Sequence, residues 1–279
     1  MRKRRRTGFI IVLELILLLL LPFTSIAQEG PSAEELARKA QDPLGDVRAI
    51  MTDNTIAFGT ADDETSYGFQ IQPVYSIPTD RGYNFIARAV IPIVGAPAGA
   101  GLPRLGPDQT PEEGTKWGIS DSILQLFWTP KSDSDIKFGI GPQVSIPTHT
   151  TDRVAGPEWG AGLAGVFFGF AGELSYGAIL GHHWGENDYS VTTLQPIVFY
   201  NIAALPGSYV GYNNSITYNW NADSGDRWQV PLGLTVGKTM AIGKEGHALD
   251  LSLGAYGLAE RPKGGADWQL KFGISLFFP

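Results

Sequence analysis

The sequence predicts an all-β protein, a transmembrane antiparallel up-and-down β-barrel of about twelve strands with a short N-terminal helix. The first observation is the end of the chain, where bulky apolar residues at 268, 270, 272, 274, 276 and 278 alternate with Gln269, Lys271, Gly273 and Ser275. Consecutive side chains on a strand point to opposite faces, so one face of this strand is apolar and the other is polar or small. A barrel wall between lipid and an aqueous lumen requires this pattern.

The second observation is the N-terminus, which has the features of an export signal. A basic stretch at residues 2–6 precedes an apolar run from Phe9 to Leu21 and then Ser25-Ile26-Ala27. This order is typical of a secretory signal peptide, and we predict residues 1–27 to be removed after Ala27. The alternative is a permanent anchor, but the run is shorter than the roughly 20 residues of a spanning helix.

Charge and cysteine content exclude several classes of function. The chain has 21 Lys and Arg against 28 Asp and Glu, and residues 1–27 hold five of the basic residues and one of the acidic ones. Residues 28–279 therefore carry a net charge near −11, and the basic stripe of a nucleic-acid-binding protein is absent. The chain has no cysteine, so disulfides, thiolate metal sites and cysteine nucleophiles are excluded.

Residues 28–51 form the predicted N-terminal helical segment. Ser32 stands three residues before Glu35, which is a capping-box spacing, and residues 33–40 follow with helix-forming side chains. Two placements of this helix are open: it enters the barrel lumen as a plug, or it lies in the periplasm as an amphipathic segment.

Residues 52–279 are predicted to form the barrel itself. It divides into twelve runs of period-2 character separated by Gly, Pro, Asn and Asp turns. Most runs have the roughly 9–11 residues that a tilted membrane strand needs, whereas the strands of a secreted β-sandwich, the competing fold, are usually about 5–6 residues long. The predicted strands are 52–60, 65–78, 83–95, 117–129, 136–147, 159–170, 172–184, 189–202, 208–221, 226–239, 248–259 and 266–279.

The connections and aromatic residues at the strand ends support the same fold. The two longest connections, 95–116 and 148–158, follow the third and fifth strands, which places both outside the cell if the N-terminus lies in the periplasm. Aromatic side chains near strand ends are expected to form interfacial girdles. These are Tyr67, Trp117, Trp128, Trp159, Trp184, Trp220, Trp228 and Trp268.

The stripe opposite the apolar one is predicted to line the lumen. It is polar and mixed in charge, so its members either brace the wall through Arg or Lys pairs with carboxylates or form a selectivity ladder for a polar or amphipathic solute. The lumen-lining candidates are Arg88, Asp121, Gln125, Lys137, Gln143, Glu173, His183, Gln195, Arg227, Gln229, Asp250 and Lys271.

No catalytic residue, metal site or cofactor is predicted. None of the four histidines lies in a Gly-x-Ser-x-Gly setting, and His182 and His183, being adjacent, point to opposite faces of one strand. Two alternatives to a channel stay open. An outer-membrane lipid-modifying enzyme would bring a Ser or Asp to a histidine at the outer rim, and a structural barrel would have a filled lumen.

Several stretches resemble one bacterial family. The residues that carry the resemblance are 220–233 with Val236-Gly237-Lys238, 36–43, Ile71-Gln72-Pro73-Val74, 138–142, Leu194-Gln195-Pro196 and 265–270. They resemble the family labelled as transporters of the MetA-pathway of phenol degradation, some members of which carry the label neuromedin U.

The resemblance implies a Gram-negative outer-membrane channel, without a cofactor, for passive uptake or efflux of small aromatic or hydrophobic compounds. Its implied partners are outer-membrane lipid and lipopolysaccharide, the small-molecule solute and the barrel-assembly machinery. The final Pro279 departs from the aromatic last residue that barrels often have.

Overall fold

The computed structural model describes residues 31–61, 63–102, 106–107, 114–132, 134–243 and 246–278. The predicted signal peptide and Pro279 lie outside these residues. The described chain is one helix, α1, Ala33–Gln41, followed by twelve long antiparallel strands. No helix among the described residues has the length and apolarity to cross a bilayer.

Most strands run close to the predicted positions. The first begins at Arg48, before the predicted residue 52, and the tenth extends to Ile242, beyond the predicted residue 239. The strands are β1 (Arg48–Thr60), β2 (Glu64–Pro78), β3 (Tyr83–Ala96), β4 (Lys116–Ile119 and Ser122–Pro130), β5 (Ile136–Ile146), β6 (Gly160–Ala171), β7 (Leu174–Gly185), β8 (Ser190–Asn201), β9 (Ser208–Asn213 and Ile216–Asn219), β10 (Trp228–Ile242), β11 (His247–Glu260) and β12 (Trp268–Phe278).

The sheet closes on itself, which confirms the predicted twelve-stranded barrel. Each strand pairs with the next in the chain, and β12 returns to β1, with Phe278 opposite Arg48 and Trp268 opposite Phe58. A closed barrel leaves no sheet edge, so every strand finds backbone partners on both sides. Two strands, β4 and β9, are interrupted where the sequence predicted continuous runs, at Ser120–Asp121 and at Asn214–Ser215.

The alternation of the sequence becomes an apolar outer surface. On β5, Ile136, Phe138, Ile140 and Val144 are all exposed, and on β10 Leu232 and Leu234 are exposed by 59% and 62%. Such a surface is unfavourable in water but is the one that a barrel presents to lipid. The barrel is therefore of the outer-membrane type.

The two ends of the barrel differ. One end carries the connections 97–115, 147–159 and 220–227, and we call it the long-loop end; the other carries short connections such as Gly172-Glu173, and we call it the short-turn end. Gly172 has a φ of +57°, which permits the tight turn between β6 and β7. Trp128 lies towards the short-turn end, and the other six tryptophans lie at the long-loop end as an exposed girdle of 117, 159, 184, 220, 228 and 268.

Helix α1 lies at the short-turn end. Ser32 caps it by accepting a 3.1 Å hydrogen bond from the Glu35 backbone N–H, as its capping-box position predicts. Leu36 packs against Ala49, Ala248 and Phe277 at the ends of β1, β11 and β12. The helix is thus attached to the rim of the barrel through its apolar face.

Candidate functional site

The interior of the barrel holds two cavities. The loop-side chamber, of about 290 Å³, lies towards the long-loop end, and the helix-side chamber, of about 150 Å³, lies towards α1. Six residues line both chambers and form a layer between them, which we call the junction layer. They are Asp53, Gln72, Arg88, Ile179, Gln195 and Lys271.

The two cations of the junction layer are both hydrogen-bonded, one to a carboxylate and one to an amide. The Lys271 ammonium donates to Asp53 Oδ2 at 2.6 Å, and Arg88 Nη2 donates to Gln72 Oε1 at 2.6 Å. Lys271 reaches Asp53 across the seam between β12 and β1, because Lys271 lies opposite Thr55 in the register of these strands. Pairing of this kind limits the cost of placing charges inside the barrel.

The loop-side chamber is lined mainly by amides and hydroxyls. Gln125 Nε2 donates to Gln143 Oε1 at 2.9 Å, and Gln143 in turn donates to the His182 carbonyl. Both strand interruptions contribute here, since Ser120 and Asp121 of β4 and Asn214 and Ser215 of β9 all line this chamber. Because an interruption frees backbone and side-chain groups from the regular ladder, it turns polar groups towards the lumen.

Asp121 holds a long loop against the chamber. Its carboxylate is fully buried and accepts hydrogen bonds from His149 Nδ1 at 2.7 Å and from the backbone N–H groups of His149, Gly156 and Glu158 at 3.1, 2.8 and 2.7 Å. Gly156 and Pro157 of this loop line the chamber. Asp121 therefore anchors the loop 147–159 at several points along its length, in addition to the hydrogen bonds of Thr148 and Thr150 with Ile119, Ser120 and Ser122.

The carboxyl groups of Glu158 and Glu186, which belong to two different loops, lie next to each other at the long-loop end. A hydrogen bond with Glu158 raises the pKa of the Glu186 carboxyl, and the negative charge of Glu158 adds to the effect. Asn187 Nδ2 donates to Glu158 Oε1 at 2.8 Å. Repulsion between these two loops accordingly falls as the pH falls.

The helix-side chamber has two different walls. Strands β9–β12 and β1 contribute polar groups, including the Asp250 carboxylate, which accepts from Tyr209 Oη at 2.9 Å and from Thr239 Oγ1 at 2.7 Å. Strands β2–β4 and β6–β8 contribute an apolar wall that the predicted polar stripe did not include, bordered by Gln72, Arg88 and Gln195 of the junction layer. Its members are Val74, Ile86, Phe127, Val166, Ile179, Ile197 and Phe199.

Residues that precede the barrel cover this chamber from the short-turn end. Ala40, Gln41, Asp42 and Pro43 form part of its lining. Gln41 Nε2 donates to Asn201 Oδ1 at 2.9 Å, and the Lys137 ammonium pairs with the buried Asp42 carboxylate at 2.7 Å. Arg38 donates to the Gly172 carbonyl at 2.6 Å. Residues 31–47, which we call the N-terminal segment, are thus bound to several strands.

Nine of the twelve lumen-lining candidates lie around the two chambers, namely Arg88, Asp121, Gln125, Gln143, His183, Gln195, Gln229, Asp250 and Lys271. Lys137 lies at the short-turn end against Asp42. Glu173 lies in the turn between β6 and β7, and Arg227 lies in loop 220–227, where it donates to the Ala222 carbonyl and Tyr218 Oη. Contact between these nine residues and a passing solute stays a prediction.

A serine and a histidine also meet near the long-loop end. Ser145 Oγ lies 2.9 Å from His183 Nε2, a spacing suited to a nucleophile and its base. Ser145 has no exposed surface, however, and the nearby Asp121 carboxylate is bound to His149 and the loop backbone. Within the described residues, no group of three or more His, Asp and Glu side chains is arranged to hold a metal ion.

The fold and the chambers define a closed transmembrane β-barrel with an internal, partly apolar lumen. Among solved structures, the chain is similar to an outer-membrane channel of Pseudomonas putida F1, with a TM-score of 0.56 and 12% identity over 85% of this chain and 97% of that one.

Two further matches have lower scores. Phospholipase A of the Escherichia coli outer membrane has a TM-score of 0.44 and 14% identity over 89% of this chain and 98% of that one, and OpdK of Pseudomonas aeruginosa, solved with vanillate, has 0.33 and 10% over 83% and 98%. At these identities the comparisons support the barrel fold alone. No protein-family profile matches the sequence, and no curated protein matches it.

Proposed function

We propose that this protein is a passive channel of the Gram-negative outer membrane for small amphipathic compounds, aromatic ones included, and that the N-terminal segment closes it at rest. The observation that carries the proposal is the helix-side chamber, with an apolar wall on one side and hydrogen-bonding groups on the other. A solute with an apolar body and one polar group can satisfy both walls at once. A channel for inorganic ions does not require an apolar wall built from six strands.

The lumen also favours weakly charged solutes. Lys271 and Asp53 neutralise each other, and the remaining charges of Arg88 and Asp250 are opposite in sign. Amides and hydroxyls supply most of the other polar groups. Such a lining offers hydrogen bonds without a strong net field for anions or cations. We therefore expect neutral aromatic alcohols to bind better than strongly charged solutes of equal size.

The proposed cellular setting follows from the sequence. Residues 1–27 would direct export, the barrel-assembly machinery would insert the chain, and the exposed apolar belt would contact outer-membrane lipid and lipopolysaccharide. When membranes of the native host are fractionated, we expect the protein in the detergent-resistant outer-membrane fraction.

Planar-bilayer conductance tests the channel and its closure together. We expect the mature chain from residue 28 to show low conductance and a variant that lacks residues 28–47 to show discrete, larger steps that benzyl alcohol reduces. A variant that lacks only residues 28–31, ahead of α1, is the control and should behave as the mature chain. Equal conductance for all three chains would contradict the plug, and a folded but silent shortened barrel would contradict the channel.

A lipid-modifying enzyme is a second candidate because of the 2.9 Å contact between Ser145 and His183. If it is correct, the refolded protein hydrolyses phospholipid in mixed micelles and Ser145→Ala abolishes the activity. Hydrolysis that is absent from the unaltered protein, or unchanged in S145A, would dismiss this candidate.

A further inference from the structure

The N-terminal segment places one apolar side chain inside the barrel. Leu44 is only 4% exposed and packs against Ile86 of β3, Phe127 of β4, and Ala164 and Val166 of β6. Val74 of β2 and Ile179 of β7 also pack against this cluster. A leucine that precedes the first strand is thus enclosed by the apolar wall of the lumen.

The wall is shaped to admit this side chain. Gly139 of β5 faces it, and a Cβ at that position would approach Leu44 Cδ2 to 2.9 Å. This distance is shorter than a normal contact, so a larger residue at 139 would displace Leu44. The pocket that holds Leu44 is therefore bounded by β2–β7 and has its floor at Gly139.

The Leu44 pocket and the helix-side chamber share their walls. Ile86, Phe127, Val166, Val74 and Ile179 contact or surround Leu44 and also line the chamber. An apolar group that descends from the chamber therefore meets the same side chains that Leu44 covers. The chamber itself, about 150 Å³, is close to the size of apolar cavities that take up a benzene ring.

We propose that the Leu44 pocket is an apolar recognition site for the solute and that Leu44 is its internal occupant, so that solute and N-terminal segment compete for one site. The ligand class is a small uncharged compound with an aromatic ring or a branched aliphatic group and one hydroxyl. The apolar part replaces Leu44, and the hydroxyl reaches the polar wall at Tyr209, Asn213 or Thr235. This inference rests on the proposed channel, and it adds the identity of the site and its coupling to closure.

The polar contacts of the N-terminal segment allow such an exchange. Gln41 with Asn201 and Asp42 with Lys137 hold the segment at the short-turn end, and neither contact involves the Leu44 side chain. The Asp42 carboxylate also accepts from the Leu44 backbone N–H at 2.9 Å, a bond that an alanine at 44 keeps. Removing the Leu44 side chain alone should therefore empty the pocket while these contacts persist. If the protein's own chain occupies the site for most of the time, the apparent affinity for the solute is the intrinsic affinity multiplied by the fraction of time for which the site is free.

The test is the binding of benzyl alcohol to refolded full-length protein in vesicles, measured by saturation-transfer NMR or calorimetry. Leu44→Ala should bind at least about 10-fold more tightly than the unaltered protein, and Leu44→Met, which refills the pocket, should return the affinity close to the original value. Leu36→Ala is the matched control, because Leu36 is also 4% exposed in the same segment but packs on the rim against Ala49, Ala248 and Phe277.

The outcomes separate the proposal from simple loosening of the segment. A gain in L44A that L36A and L44M do not share supports competition at the pocket. An equal gain in L36A, or no gain in L44A while the heat-modifiable band shows a folded barrel, would overturn it. This binding measurement does not depend on ion conduction. A failed conductance experiment would therefore count against the channel without deciding whether solute and Leu44 compete for the pocket.

Discussion

At the scale of single residues, one carboxylate anchors the loop 147–159 at the long-loop end. Asp121 has no exposed side-chain surface and accepts four hydrogen bonds from the loop 147–159. Hydrogen bonds to a charged group each contribute about 1.5–3 kcal/mol, and a buried group left without partners costs a similar amount. The loop conformation therefore depends on the charge and on both oxygens of this side chain.

We predict that Asp121→Asn releases the loop without unfolding the barrel. An amide presents one acceptor oxygen in place of two, so at least two of the N–H groups lose their partner, at a cost of roughly 2–4 kcal/mol for the loop. Arg153 is 5% exposed within this loop and is protected in the native protein. Trypsin should cleave after Arg153 at least about 10-fold faster in the variant, as judged by mass spectrometry of the fragments.

Asp152→Asn is the control for this prediction. Asp152 lies in the same loop and is exposed, so its substitution removes the same charge without touching the Asp121 contacts. Cleavage that is accelerated equally in D152N, or unchanged in D121N, would show that Asp121 does not hold the loop.

At the scale of elements, the proposed closure of the lumen depends on the position of the N-terminal segment. The chain has no cysteine, so a single introduced cysteine is a specific probe. We predict that Leu44→Cys reacts with a charged maleimide at least about 10-fold more slowly than Glu35→Cys, because Leu44 is 4% exposed whereas the Glu35 side chain is 55% exposed. Stopped labelling followed by mass spectrometry measures both rates.

The ion pair between Lys137 and Asp42 should contribute to this protection. The Asp42 side chain is 5% exposed but the Lys137 side chain is 37% exposed, so the pair is only partly buried, and removing Lys137 should cost roughly 1–3 kcal/mol. Labelling of L44C should therefore accelerate when Lys137→Met is added, while labelling of E35C stays the same. Equal rates for L44C and E35C in the chain with Lys137 would contradict the buried position of Leu44.

The strands were predictable from the sequence and the interior was only partly so. Outward positions such as Ile136, Phe138 and Ile140 alternate regularly because every one of them meets lipid, and this made the twelve strands and most of their bounds visible. Inward positions obey no single rule: Gln125 and Gln143 are polar, whereas Phe127 on the same strand as Gln125 is apolar. An apolar inward residue cannot be recognised by alternation, because its strand is then apolar on both faces.

The packing of Leu44 against the apolar wall could not be predicted either. Leu44 precedes the barrel, and its contacts with Ile86, Phe127 and Val166 depend on how the closed barrel places three distant strands around it. The two interruptions, in contrast, carry a signal in the sequence. Across Ser120–Asp121 the exposed apolar residues change from odd positions (117 and 119) to even ones (124, 126 and 128), and Asn214 is a polar residue in an otherwise apolar stripe. The prediction of continuous strands overlooked this change of phase. The predicted capping box of α1 is also a local signal and corresponds to the observed cap.

At the scale of the whole molecule, the barrel separates two solvents, and adjacent residues on one strand should respond oppositely to the same substitution. Leu194 and Gln195 are neighbours in the middle of β8: Leu194 is exposed on the outer surface, and Gln195 lies in the junction layer. We predict that Leu194→Arg destabilises the folded barrel by about 2–4 kcal/mol, the cost of a basic side chain at the bilayer midplane. Gln195→Arg faces the hydrated lumen and should cost less than about 1.5 kcal/mol while it narrows the junction layer.

Urea unfolding in phospholipid vesicles, followed by tryptophan fluorescence and by heat-modifiable migration, measures both free energies of unfolding. The tryptophan girdle at the long-loop end lies in the membrane interface only while the barrel is inserted, so its emission reports the whole transition. The two arginines are introduced at adjacent positions of the same strand, so the two variants are matched in added charge and in strand propensity of the new residue. They differ in the face of the barrel wall that carries the arginine. A larger loss of stability in Q195R than in L194R would mean that the apolar surface does not face lipid, and the transmembrane barrel would have to be abandoned in favour of a fold that buries this surface against protein.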